Sequence, residues 1–141
     1  MLKTGLKRLT VLVFLVSLVI GVVCGSGCVP IQVIEDISAQ EAFDLIQENK
    51  NNPDFVILDV RTLTEFADGY IEGAINLDYR HEFFSDILNL IDKDKTYLVY
   101  CHSGGRSRSA LDIMEELNFR EAYNVLGGIV NWKAEGLPTT K

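Results

Sequence analysis

The sequence is poor in the residues from which disulfide frameworks and metal centres are built: 3 cysteines and 2 histidines in 141 residues. Two of the cysteines, Cys24 and Cys28, sit near the start, so beyond residue 28 only Cys101 remains. A lone cysteine cannot close an internal disulfide; it is either a buried, inert thiol or a free reactive one. His81 and His102 fall in separate segments with no ligand-spaced companions, so neither a metal nor another cofactor is expected. Basic residues are scarce as well, 13 against 20 acidic. All the acidic residues follow residue 28, while Lys3, Lys7 and Arg8 precede it. The remainder holds twenty acidic against ten basic side chains, a net charge of −10. Nucleic-acid binding needs clustered Lys and Arg, so no such partner is expected. No internal repeat or low-complexity tract appears, and the length suits one domain.

Long apolar runs are confined to one place. After the basic start, residues 9–23 carry no charge and are rich in Leu and Val, and the small residues Gly25, Ser26 and Gly27 follow. A basic beginning, a short apolar stretch and a small-residue exit describe a secretory signal. Fifteen residues are few for a bilayer span of about 20, so an uncleaved anchor is the second choice. Cys28, preceded by Ser26 and Gly27, resembles the acylated cysteine of bacterial or archaeal lipoproteins, although Gly25 stands where that pattern prefers Leu. The expectation is therefore an exported protein, periplasmic or at the cell surface. It is either cleaved or held at the membrane through its N-terminal segment. Residues 1–28 form the signal peptide or anchor, 29–37 a lead-in and 38–141 the domain.

Within the domain, strand and helix patterns alternate. Gln32 to Ile34 suggests a short edge strand. Ser38 and Glu41 have capping-box spacing, and Ala42, Phe43, Leu45 and Ile46 share one face, predicting a helix from Ala39 to Asn49. The unbroken apolar runs Phe55 to Leu58 and Tyr97 to Tyr100 read as strands buried on both faces, as in a parallel sheet. Further short strands are expected at Ala74 to Leu77 and Ala122 to Val125. A helical turn is expected at Thr64 to Asp68. Helical spacing runs through Phe83 to Ile91, Ser107 to Asn118 and Ile129 to Ala134. This alternation predicts an α/β fold of three layers, a central, mainly parallel sheet flanked by helices. Ligands in such folds bind beyond the carboxyl ends of strands, where Asp59 and Cys101 both fall.

Cys101, His102, Ser103, Gly104, Gly105, Arg106 and Ser107 then link a strand to a helix. Two glycines allow a tight bend with N–H groups turned inward. The helix start near Ser107 brings its positive end, and Arg106 a full charge. All favour an anion at the loop centre, so the Cys101 thiol is expected to be acidified and nucleophilic rather than an inert core thiol. His102 reads as a solvated loop residue, Arg108 as projecting into solvent and Trp132 as core packing.

The loop and its surroundings resemble the single-domain rhodaneses over residues 37–138. The carriers are Val-Ile-Leu-Asp-Val-Arg at 56–61 followed by Glu65-Phe66, and Gly-Tyr-Ile-Glu-Gly-Ala-Ile-Asn-Leu at 69–77. They continue with the Cys101 loop, and with Leu-Gly-Gly-Ile-Val-Asn-Trp at 126–132 followed by Gly136-Leu137-Pro138. The resemblance implies a sulfurtransferase with Cys101 as nucleophile and persulfide carrier. His102 to Arg106 would offer backbone amides to the sulfur, Ser107 would complete the substrate loop, and Arg106 would steer an anionic donor. Asp59 and Arg61, the Asp-x-Arg pair, would have a supporting role. A small donor such as thiosulfate and a thiol, protein thiol or cyanide acceptor would be the partners. Tyr70 departs from the family, which often has His there. Arg61 and Glu65, four apart, are expected to pair on the following turn.

Two other readings remain. One is a persulfide carrier or thiol-responsive binding module without turnover. The other is a cysteine phosphatase or arsenate reductase, whose loop is Cys-x5-Arg. Here only four residues separate Cys101 from Arg106, and the shorter loop suits one sulfur atom.

Overall fold

The computed structural model describes residues 31–141. The readings on residues 1–28, Cys28 included, lie outside the described residues. A single five-stranded sheet forms the middle layer, built from β1 (Val33–Ile37), β2 (Phe55–Asp59), β3 (Ile75–Asn76), β4 (Thr96–Tyr100) and β5 (Glu121–Val125). Their order is β1-β5-β4-β2-β3, and every pairing is parallel. The edge strand at the start is longer than its sequence pattern suggests. Val33 to Ile37 pairs with Glu121 to Val125 along its whole length, so this part of the lead-in belongs to the sheet.

Five helices cover the sheet: α1 (Ala39–Glu48), α2 (Leu63–Ala67), α3 (Phe84–Leu90), α4 (Gly105–Glu116) and α5 (Gly128–Ala134). β4 shows why the layers form. From Tyr97 to Cys101 each residue is 2% exposed or less, because successive side chains point to opposite faces and both faces are covered. Tyr97, Val99 and Cys101 pack with Phe84 and Leu88 of α3 and with Ala110, Leu111 and Met114 of α4. Leu98 and Tyr100 pack with Ala39 and Ala42 of α1 and with Ile129 and Trp132 of α5. Each fully buried Leu contributes about 1.5–3 kcal/mol.

Local sequence sets the helix starts. The Ser38 hydroxyl accepts from the Glu41 amide while the Glu41 carboxylate accepts from the Ser38 amide, closing the capping box of α1. Thr62 and Glu65 close a second one at α2. α4 begins at Gly105, two residues before the expected start. Gly104, at φ 94°, turns the chain in a left-handed conformation that lets the helix begin at once. Trp132 is core, as its pattern suggests, with its indole N–H donated to the Pro138 carbonyl at 2.9 Å.

Candidate active site

β2 and β4 lie side by side and end together, with Asp59 opposite Tyr100. Their carboxyl ends therefore bring Asp59, Arg61 and Cys101 to one end of the sheet. Asp59 is wholly buried, and Arg61 is 3% exposed. The Arg61 guanidinium forks onto the Asp59 carboxylate, with Nε to Oδ1 at 3.0 Å and Nη2 to Oδ2 at 2.6 Å. Nη2 also donates to the Gly69 carbonyl at 2.8 Å, tying the segment after α2 to the strand end. The Arg61 guanidinium carbon lies 5.6 Å from the centre of the Tyr100 ring. The ion pair braces the end of β2. The expected pairing of Arg61 with Glu65 is absent because Asp59, only two residues away, already holds the guanidinium.

The loop itself closes around sulfur. Cys101 is 1% exposed, at the bottom of the bend. The Gly104 amide donates to Sγ at 3.1 Å, and the Ser107 hydroxyl stands 3.4 Å from it. The same hydroxyl lies 3.1 Å from the Gly104 carbonyl. A hydroxyl has one proton, so it can turn to a thiolate or to the carbonyl. Burial pushes the Cys101 thiol up, yet the Ser107 hydroxyl and the amides of Ser107, Ser103 and Gly104 outweigh it and hold the thiol below its ordinary value. The amides that act on the sulfur belong to Ser103, Gly104 and Ser107, of which Ser103 and Gly104 fall within the row from His102 to Arg106 that the resemblance implied. The His102 side chain is exposed, and Gly105 has open space around it.

α5 holds the loop from behind. The Ile129 amide donates to the Cys101 carbonyl at 2.9 Å, and the Val130 amide to the His102 carbonyl at 3.2 Å. That approach requires bare backbone. A Cβ at Gly128, which has φ 57°, would collide with the Cys101 carbonyl oxygen and come within 2.7 Å of the His102 carbonyl. A Cβ at Gly104 would lie 3.1 Å from the Gly127 amide nitrogen. The glycine pair of residues 127 and 128 is thus part of the site. The sequence set this pair within the family resemblance but did not show what it touches.

Arg106 departs most from expectation. Its two terminal nitrogens donate to the two oxygens of Glu65, Nη1 to Oε2 at 2.8 Å and Nη2 to Oε1 at 2.7 Å. The Arg106 fork holds the Glu65 carboxyl down to about 2, helped by Thr62 and opposed by burial. The charge offered to an incoming anion is therefore already paired. Glu65 is a site residue that the Arg61 pairing concealed; its capping-box spacing from Thr62 was the available signal. Arg108 is not free in solvent either, being held by Asp112 at 2.8 Å and by Asp36 at 3.5 Å. Tyr70 stacks on Phe66 with ring centres 4.1 Å apart, and its backbone pairs with that of Thr140. A cavity of about 550 Å³ opens between α1, β2, Ile75 and Pro138, and no residue of the Cys101 loop lines it.

A parallel α/β sheet with a buried, acidified cysteine in the loop from its central strand to a helix defines the class of domain. Residues 39–135 match the Rhodanese-like domain family, and the chain belongs to it. Among curated relatives, it is 33% identical over 100 residues to the thiosulfate sulfurtransferase GlpE of Coxiella burnetii, covering 71% of this chain and 88% of that protein. Among solved structures, a rhodanese-related protein from Thermoplasma volcanium is similar with a TM-score of 0.62 and 29% identity, covering 75% of this chain and 97% of that one. A rhodanese-like domain protein from Staphylococcus aureus gives 0.60 and 31%, covering 76% and 99%.

Proposed function

We propose that the protein is a sulfurtransferase that carries sulfane sulfur as a persulfide on Cys101. The observation that carries this reading is the donor set on Cys101, with the Gly104 amide 3.1 Å and the Ser107 hydroxyl 3.4 Å from Sγ in a strand-to-helix loop. The Cys101 thiolate attacks the outer sulfur of a donor such as thiosulfate. The S–S bond of the donor breaks, and sulfite leaves with the bonding pair. The new persulfide, Cys101–S–S⁻, keeps its terminal charge within reach of inward amides. A thiolate or cyanide then attacks the terminal sulfur, takes it, and returns Cys101 as thiolate. No proton transfer is needed at either sulfur, which fits a loop whose nearest histidine, His102, projects outward.

The phosphatase reading is weaker on the same geometry. Four residues lie between Cys101 and Arg106, and the Arg106 fork that would clamp a tetrahedral oxyanion is closed on Glu65.

The basic start, apolar run and small-residue exit of residues 1–28 support export, with Cys28 as the acylation point that would hold the domain at the membrane. Membrane fractionation of the native chain beside Cys28→Ala tests this. Loss of membrane association in the variant supports acylation, and recovery of an intact native chain in the cytosol refutes export.

The test of function is mass spectrometry of Cys101 after thiosulfate treatment, beside turnover with cyanide. One added sulfur atom on Cys101 in the native chain, absent in a folded Cys101→Ser variant that also lacks turnover, is the expected result. Equal turnover by the serine variant refutes the reading.

A further inference from the structure

The pairing of Arg106 with Glu65 bears on which donors the site accepts, given the sulfur chemistry proposed above. Arg106 is the one cation on the Cys101 loop, and both of its terminal nitrogens are committed to one carboxylate. Glu65 cannot turn away freely. Its Oε2 also accepts from the Thr62 amide at 3.1 Å and from the Thr62 hydroxyl at 3.0 Å, as the cap of α2. Asp78 adds a second negative field on Arg106, and the His102 ring stands 3.9 Å from Glu65. The domain around this site carries the acidic excess described above. A small dianion approaching Cys101 thus meets a guanidinium neutralised by Glu65, the further carboxylate of Asp78 and a negative protein field.

We propose that Glu65 is a specificity-determining residue that screens Arg106, lowers the site's affinity for multiply charged anions and favours sulfur donors of low charge, such as the persulfide of an uncharged thiol. Glu65 touches no reacting atom. It acts through Arg106, and its second duty at the helix cap locks it in place. A carboxylate tied to the helix is a fixed screen, whereas a free side chain would yield to a strongly bound anion.

Glu65→Gln separates the two duties, because glutamine also closes a capping box but carries no charge. The experiment measures Cys101 modification in the full chain by two methanethiosulfonates of similar size, one bearing a sulfonate and one a trimethylammonium group. In each, the Cys101 thiolate attacks the thiol-side sulfur, methanesulfinate leaves, and a mixed disulfide forms. Peptide-resolved mass spectrometry reads Cys101 alone, so Cys24 and Cys28 do not interfere. In Glu65→Gln the ratio of anionic to cationic rates is expected to rise about fivefold or more at low salt and to fall back at high salt. The rise should vanish in the Glu65→Gln, Arg106→Ala double variant. The KM for thiosulfate should fall in Glu65→Gln by a similar factor, with a smaller change in kcat.

An unchanged rate ratio in a variant with native circular dichroism overturns the proposal. A raised ratio in a chain that uses no thiosulfate at all supports the screen and refutes the donor reading. The reagents report charge at Cys101 whether or not sulfur transfer occurs.

Discussion

Arg106 and Glu65, 41 residues apart in sequence, meet fork to fork at 2.7 and 2.8 Å across the mouth of the Cys101 loop. The contact joins α2, which follows β2, to α4, which follows β4, so both carboxyl ends of the central strands are fastened at the site. It also shifts the burden of stabilising the thiolate. With the guanidinium paired, the loop amides and the Ser107 hydroxyl carry most of it.

Ser107→Ala should therefore affect chemistry more than folding. The hydroxyl lowers the Cys101 thiol when it turns to sulfur, so its loss should move the pH midpoint of Cys101 alkylation upward. A hydrogen bond to a charged group worth about 1.5 kcal/mol corresponds to roughly tenfold in turnover near neutral pH. Alkylation rates from pH 5 to 10 in native and variant chains check this. An unmoved midpoint would assign the acidification to the amides alone.

Local patterns made much of this fold readable. Phe55 to Leu58 and Tyr97 to Tyr100 show no alternation because both faces of those strands are covered, and the order of apolar runs alone implied a parallel sheet. The Ser38–Glu41 cap is a four-residue device and was legible as such. What lay hidden depends on distant partners. The spacing of Arg61 and Glu65 suggested a helical pair, yet Arg61 precedes the helix and is held by buried Asp59, while Glu65 turns to a loop far along the chain. The second glycine of Leu126-Gly127-Gly128 stood out only as part of the family resemblance, since nothing nearby in sequence records the Cys101 carbonyl packed against it.

Gly128→Ala tests that packing. The new Cβ would sit at φ 57° against the Cys101 and His102 carbonyls, so α5 must retreat or the loop must open. Left-handed strain and the collision together should cost about 2–4 kcal/mol of stability. Urea unfolding measures it. Because Ile129 would lose its hold on the Cys101 carbonyl, thiol reactivity should fall in the fraction that remains folded.

Acid should reveal the Arg106–Glu65 pair. Glu65 titrates near 2 in the fold, below its unfolded value of about 4.3. Its stabilisation is thus fully present above about pH 4.3 and lost as pH falls through about 2. The carboxylate is 31% exposed, so the contribution should stay within about 1 kcal/mol. Native and Glu65→Gln chains should differ by that amount at pH 6 and converge near pH 2. A difference that persists at pH 2 would show that packing, not charge, separates them.

Asp59→Asn probes the brace under the site. The native carboxylate is wholly buried and receives three side-chain contacts from Arg61 together with the Arg61 backbone amide. The asparagine keeps the shape but leaves the Arg61 guanidinium, at 3% exposure, without a counter-charge. Removing one partner of a buried pair costs about 3–5 kcal/mol, because the remaining charge is stranded in a low-dielectric interior. Arg61 also holds the Gly69 carbonyl, so its displacement should loosen the segment that carries Glu65 to Arg106. The expected outcome is a large drop in the urea midpoint together with a more even reaction of Cys101 with anionic and cationic reagents. Loss of stability with the reagent preference intact would confine Asp59 to the fold and separate the brace from the charge arrangement at the loop.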